Sequence, residues 1–224
     1  MKTIDLGGRS PAQLQGLISQ LVVPRPIAMI STVGPAGFNV APFSYFMPVC
    51  GQPPTIAVTI GTVREETPGP KDTWVNLEAT GEFVVNVTTT ALVEHIETVA
   101  REYPPDVDEA QLVGWTTRPS EVVAAPALAE SPAHLECRVL ETIDRGDPSS
   151  CFSGVHIVLA EVVNIRVSED LLAAGSETRI DPTRVAAVGR MGFPMFVAAT
   201  GSDGTWAVFE QERIAYADLV DSAG

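Results

Sequence analysis

The sequence predicts a mainly β fold: one barrel-like domain decorated by helices. Three observations carry that expectation. Eighteen Gly and eighteen Pro in 224 residues are many for a helical bundle and suit a chain that turns often. Short apolar runs recur between those turns. Hydrophobic residues make up 45% of the chain, enough for a core, and neither a repeat nor a clear linker divides it.

The elements follow in order. In "SPAQLQGLISQL", Ser10 suits an N-cap and Pro11 the first helical position. Leu14, Leu17, Ile18 and Leu21 recur at helical spacing, so a short amphipathic helix ends near Val22. "PIAMISTV", the turn "GPAG" and "FNVAPFSYF" read as a hairpin over residues 26–46. "TIAVTIG" is a third strand. A polar loop, "TVREETPGP", covers 62–70. Asp72 or Thr73 then caps a short helix that Gly81 ends, and "EFVVNVTT" is a fourth strand.

"TALVEHIETVARE" reads as one helix with Leu92, Ile96 and Val99 on a face. Residues 103–133 are irregular, rich in Pro and Ala, and are expected to pack over the barrel edge or a partner. "HLECRVLETI" alternates with period two. Across the Asp144–Ser150 turn, "CFSGVHIVLAEVVNIRV" returns as a long strand or a bent pair. The tail holds a helical turn at "SEDLLAAG", an apolar stretch "RVAAVGRMGFPMFVAAT" and a last short helix at 210–217.

Charge excludes several function classes. Fourteen basic residues face 28 acidic ones, for a net −14, and no Lys/Arg stripe exists to follow a nucleic acid or an anionic membrane. No apolar run approaches the roughly 20 residues a membrane span needs. Cys50, Cys137 and Cys151 form no CxxC pair. With no leader segment, they read as reduced thiols of a cytoplasmic protein. His95, His134 and His156 match no metal-ligand spacing, so no metal is expected.

Two segments carry candidate chemistry. At "KDT", a helix start offers unpaired N–H groups, Lys71 a full charge and Thr73 a hydroxyl, a set that suits a phosphate monoester. The same three residues read as a plain cap with Lys71 in solvent. In "ISTVGPAGFNVAPFSYF", Ser31, Thr32, Asn39 and Ser44 cluster uncharged polar groups on one hairpin. Pro42 belongs at an edge or bulge, which leaves backbone groups near Ala41 to Ser44 free for a planar polar ligand. A wet strand pair is the plain alternative.

Together, "VPRPIAMISTVGPAGFNVAPFSYFMPVCGQPPTIAVTIG" and "KDTWVNLEATGEFVVNV" resemble the flavin reductase-like family, which has an FMN-binding split β-barrel, Greek-key-like, with peripheral α-helices. The PRPIA strand, the ST pair, the N-x-APFS segment, the KDT and the "geFvvN" strand occur in the family's order. The likeness continues more weakly through "SGVHIVLAEVVNIRV" and "RVAAVGRMGFP". It spans a core of about residues 20–195 within a single domain of 1–224.

The resemblance implies that Lys71, Asp72 and Thr73 hold an FMN phosphate, with help from Ser31 or Thr32. It implies that Asn39, Ala41, Pro42, Phe43 and Ser44 line the ring and ribityl, largely through backbone. Arg190 would lie near the flavin, and His156 would be a candidate for its reactive side. Each has a dull reading: His156 as a core histidine, Arg190 or Arg25 as a dimer ion pair, Cys50 as a buried thiol. Where relatives carry Gly-Gly and Tyr after the G-R pair, this chain has "MGFPMFVAAT", with Phe193 and Phe196.

The implied function is an NAD(P)H-dependent flavin reductase, a homodimer that passes electrons through FMN to a partner oxygenase or a small acceptor. Alternatives are an FMN-bound reductase of a nitroaromatic or quinone, and a non-catalytic flavin-binding module. No G-x-G-x-x-G fingerprint follows a strand, so a nicotinamide would stack directly on the flavin with few contacts.

Overall fold

The computed structural model describes residues 1–105, 107–199 and 206–210. Helix α1 (Pro11–Leu21) opens with a capping box: the Ser10 hydroxyl accepts from the Gln13 N–H, and the Gln13 side chain accepts from the Ser10 N–H. Strands β1 (Arg25–Pro26), β2 (Ala28–Gly34), β3 (Gly37–Phe43), β4 (Phe46–Gly51) and β5 (Pro54–Gly61) follow. Next come α2 (Asp72–Thr80) and β6 (Glu82–Val87), then three single turns, α3 (Thr90–Val93), α4 (Ile96–Val99) and α5 (Glu109–Leu112). The rest is strand: β7 (Thr117–Arg118), β8 (Ala127–Leu128), β9 (Ala133–Arg145), β10 (Val155–Val167), β11 (Val188–Arg190), β12 (Met195–Ala199) and β13 (Trp206–Glu210).

Seven antiparallel strands form the barrel sheet in the order β3-β2-β6-β9-β10-β5-β4. The two outer strands, β3 and β4, do not pair with each other, so the barrel is split. Register shifts in the β9–β10 pair, beside Ala160 and near Val162, bend its long hairpin. A second antiparallel sheet, β1-β11-β12-β13, carries the tail. Pro42 falls on the outer strand β3, where its missing N–H costs no ladder bond.

Period two on β2 explains the layering. Ala28 and Ile30 enter the barrel with Phe43, Val58, Ile60, Phe83 and Val158. Ile27 and Met29 face the other way, against Leu92, Ile96, Val99, Trp115, Leu128 and Phe196. Both faces of the strand are therefore covered, and each fully buried side chain of this size contributes about 1.5–3 kcal/mol. Segment 103–133 supplies much of the outer cover. Trp115 and Leu128 join the second cluster, while Val123, Ala125 and Ala127 pack on Val84.

Several expectations need correction. The segment over 90–102 is two turns, because His95 breaks the helix at φ −105°, ψ 3°. The stretch 38–46 is interrupted at Ser44–Tyr45, and an outer strand, β4, follows it. The N-cap of α2 is Lys71, with no side-chain cap bond, rather than Asp72 or Thr73. Gly81 ends α2 in the left-handed conformation, φ 66°, as expected. Cys50 is exposed; Cys137 is the buried thiol, pushed up to about 12 by burial. The helix expected at 210–217 lies, from 211 on, outside the described residues; residue 210 ends β13.

Candidate functional site

A cleft of about 500 Å³ opens beside the end of β3. Pro42, Phe43, Ser44 and Tyr45 form one wall; Thr59 and Gly61 of β5 and Val155 of β10 form another. Gly16 and Ser19 of α1 lie across it, and Arg25, Glu97, Arg190 and Phe193 line its far side. The cleft shares Pro42, Phe43, Lys71 and Ala100 with a recess of about 70 Å³, which Asn39, Arg64, Asp72, Thr73, Arg101, Glu102 and Glu109 also line.

The recess is built at the start of α2. Thr73 is buried, and its hydroxyl oxygen accepts from the Asn39 side-chain amide at 2.8 Å, which leaves the hydroxyl hydrogen to donate. Lys71 Nζ lies 4.0 Å from a Glu102 carboxylate oxygen. Burial favours the neutral form of Glu102. The N–H groups of Glu65, Glu66 and Thr67 outweigh it, with Lys71, and hold the carboxyl below its usual range. Those same bonds tie the loop 62–70 to the end of α4. Asp72 is ion-paired with Arg64. Arg101 has no ion-pair partner among the described residues, and its buried Nε meets no acceptor.

On the far side of the cleft, Arg25 and Arg190 sit opposite each other on β1 and β11. Both are engaged. Arg25 donates to the carbonyls of Ser19 and Val22 and to the Ser44 hydroxyl. Arg190 is ion-paired with Glu97 and lies 4.3 Å over the Phe196 ring and 5.5 Å from that of Phe193. Burial, with Arg190 nearby, lowers the Arg25 pKa.

The sequence-expected residues therefore divide. Pro42, Phe43, Ser44, Lys71 and Arg190 line the cleft; Asn39, Ala41, Asp72 and Thr73 line the recess, which Pro42, Phe43 and Lys71 join. Ser31 and Thr32 line neither. The Ser31 hydroxyl donates to the Pro126 carbonyl at 2.6 Å, and the Thr32 hydroxyl accepts from Asn76 at 3.1 Å. His156 also lies outside. Its ring stacks on Trp74 at 3.6 Å between centroids, and its Nδ1 is 2.7 Å from an Asp144 carboxylate oxygen. The stacking clamps α2 to β10.

Arg101, Glu109 and Glu97 escaped the sequence reading. No short spacing links them to "KDT"; the chain brings them back only after β6. Arg101 alone has a local signal, a cation next to an acid in "ARE", where the expected helix should end. Among the described residues no group of His, Cys, Asp or Glu is arranged to hold a metal ion. No helix among them is long and apolar enough to cross a membrane.

Known proteins share both sequence and fold with this chain. The sequence pattern of the family described as "Flavin reductase like domain" matches residues 20–180. A protein of Halalkalibacterium halodurans is 37% identical over 180 residues, covering 78% of this chain and 81% of its own. Nitrilotriacetate monooxygenase component B from Bacillus cereus superposes with a TM-score of 0.77 at 27% identity, over 95% of this chain and 97% of that one. Pseudomonas fluorescens 2-nitrobenzoate 2-nitroreductase superposes with a TM-score of 0.76 at 26% identity, over 89% and 92%.

Proposed function

The chain belongs to the flavin reductase-like family of flavin-binding oxidoreductases, and from that premise we propose that it is an FMN-dependent reductase driven by NAD(P)H. One observation carries the choice of FMN. The cleft that fits a flavin ring runs, past the same Pro42 and Phe43, into a recess the size of one phosphate group and lined by Arg64, Lys71 and Arg101. The residues fit the group: an orphaned Arg101 Nε, an unused Thr73 hydroxyl hydrogen and the N-terminus of α2 all favour an anion there. In this reading Arg101 takes the part that the family resemblance implied for Ser31 or Thr32.

In this reading Lys71, Thr73 and Arg101 hold the phosphate. Backbone groups of Ala41 to Ser44 fix the ring, and Tyr45, Thr59 and Gly61 bound it. A bound flavin supplies hydride and electron chemistry of its own. The protein's part is to orient, to exclude water and to leave one face open. No side chain of the cleft is assigned an acid–base role, because hydride transfer needs proximity more than a titrating group. Arg25 and Arg190 are already engaged, so neither is free to favour a 2′-phosphate, and discrimination between NADH and NADPH is small.

The electrons pass to an oxygenase component, a reading supported by the name of the B. cereus protein. A second reading has a small aromatic acid reduced on the flavin itself. It is favoured by the size of the cleft and by the likeness to a nitroreductase. A homodimer fits the apolar side chains left exposed on α1 (Ile18, Leu21), on the outer strand β4 (Met47, Val49) and at Phe193. Light scattering that gave a monomer mass with FMN bound would defeat the dimer.

The deciding experiment mixes the FMN-loaded protein rapidly with NADH or NADPH and follows the flavin absorbance. Reduction faster than that of free FMN is expected with both donors. If neither donor accelerates it, the protein is a flavin-binding module.

A further inference from the structure

The recess holds more acid than a phosphate site should tolerate. Three carboxyl groups, Asp72, Glu102 and Glu109, line it with three cations, Arg64, Lys71 and Arg101. Asp72 is paired with Arg64, and Glu102 binds three backbone N–H groups and lies beside Lys71. Glu109 differs. It is only 5% exposed; among the described residues no cation pairs with it, and its single donor from another element is the Val40 N–H at 3.2 Å.

We propose that Glu109 serves the recess as a neutral acid, so that a phosphate monoester enters together with a proton. This rests on the FMN reading above and adds a proton to it. With Glu109 neutral, the recess has three cations against two carboxylates, and a hydroxyl donor is added to those of Thr73 and Lys71. With Glu109 ionised, charges balance before any ligand arrives, and a phosphate dianion would meet a like charge in a buried space.

The groups that face Glu109 favour its proton. Asp108 lies beside it in the chain, and Asp72 faces it from α2. From β3 it meets the neutral Asn39 and the backbone of Val40. Arg64 and Lys71 are turned to Asp72 and Glu102, and Arg101 is the remaining cation. Burial first, then the charges of Asp72 and Asp108, push the carboxyl from 4.5 to about 7 against the pull of the Val40 N–H. A bound dianion raises it further.

The pH profile follows. A phosphate monoester becomes a dianion above about pH 6. A recess that wants the dianion and the Glu109 proton binds best near neutrality. Affinity then falls as pH rises through the Glu109 value, by up to about tenfold per pH unit, as for any one-proton linkage.

The test titrates the full chain, freed of flavin, with FMN and separately with riboflavin from pH 5.5 to 9, reading flavin fluorescence. Wild type should lose about tenfold in FMN affinity between pH 7 and 8.5, while riboflavin affinity stays level. Glu109→Gln should keep its FMN affinity across that range. Calorimetry at pH 8 in two buffers of different ionisation enthalpy should find close to one proton taken up by wild type and none by Glu109→Gln. Identical FMN profiles and proton counts for the two proteins would overturn the inference and leave the phosphate site standing. Equal affinity for FMN and riboflavin at every pH would remove the phosphate site, and the inference with it.

Discussion

Two polar clusters flank the same hairpin and look alike in sequence. One joins Ser31 and Thr32 of β2 to Asn76 of α2 and Asn86 of β6. The other joins Asn39 of β3 to Lys71, Thr73, Arg101 and Glu109. The first is buried and built of hydroxyl and amide groups; in the second Asn39, Thr73 and Glu109 are buried while Lys71 and Arg101 are half-buried. In the first, donors and acceptors close on each other. The Asn86 amide donates to the Met29 carbonyl and the Ser31 hydroxyl, and its oxygen accepts from the Leu128 N–H at 2.7 Å. Asn76 donates to Thr32 and to the Gly37 carbonyl and accepts from the Ala36 N–H. Even the backbone adapts: a Cβ on Gly34 would sit 2.7 Å from the Asn76 oxygen. In the second cluster an arginine nitrogen and a hydroxyl hydrogen are left over beside open space. A satisfied network holds a fold together; an unsatisfied one at a cleft is fitted to a ligand.

The comparison can be broken at its structural end first. Asn86→Ala should cost about 3 kcal/mol in urea unfolding, because three buried groups lose their partner at once. FMN affinity of the folded fraction should stay within about twofold, since no contact of Asn86 reaches the recess. A small stability loss with a large affinity loss would reverse the assignment of the two clusters.

Glu109 tests the other end through pH. Its folded pKa is raised from 4.5 to about 7, so the stability its proton confers is complete below 4.5 and is lost as pH rises through 7. Relative to Glu109→Gln, ligand-free wild type should lose on the order of 2 kcal/mol between pH 5 and 8.5. A constant difference between the two proteins over that range would place the carboxyl's titration elsewhere.

Lys71→Ala comes next. A charge-assisted contact is worth about 1.5–3 kcal/mol, so FMN affinity should fall about tenfold or more while that for riboflavin barely moves. Equal losses for both ligands would take the phosphate away from Lys71.

The stacked pair outside the cleft should matter less. His156→Ala should destabilise by about 1 kcal/mol, the worth of an aromatic contact of this kind, and leave the rate of flavin reduction by NADH unchanged. A large fall in that rate without loss of fold would restore His156 as a catalytic residue. The smallest effect is expected at Arg190. Glu97 already balances its charge, so Arg190→Ala should change the ratio of the NADPH and NADH Michaelis constants by less than about threefold. A tenfold rise confined to NADPH would show that the ion pair opens to receive the 2′-phosphate.

What was legible in the sequence is what neighbours in the chain decide. Ser10 and Pro11 set the start of α1, and Gly81 ends α2, because capping and left-handed geometry act over a few residues. Period two on "PIAMIS" and the edge position of Pro42 came through for the same reason. Ordered motifs also announced the family, and with it the cleft around residues 42–44. The sequence did not reveal that His95 would break a helix, nor that β4 would form the second edge. Both depend on what packs against them.

Least legible was which polar groups have partners. Ser31 and Thr73 are both hydroxyls near the same hairpin, yet Ser31 meets a carbonyl 95 positions away and Thr73 an amide 34 positions away. Val40 donates to a carboxyl 69 residues further on. Composition and local pattern determined the cap of α1, the end of α2, most of the long strands and the hydrophobic layering of β2. The tertiary structure alone decided that Lys71, Thr73, Arg101 and Glu109 share one recess, because hydrogen-bond satisfaction and the protonation of a buried acid depend on distance in space, where position along the chain has no say.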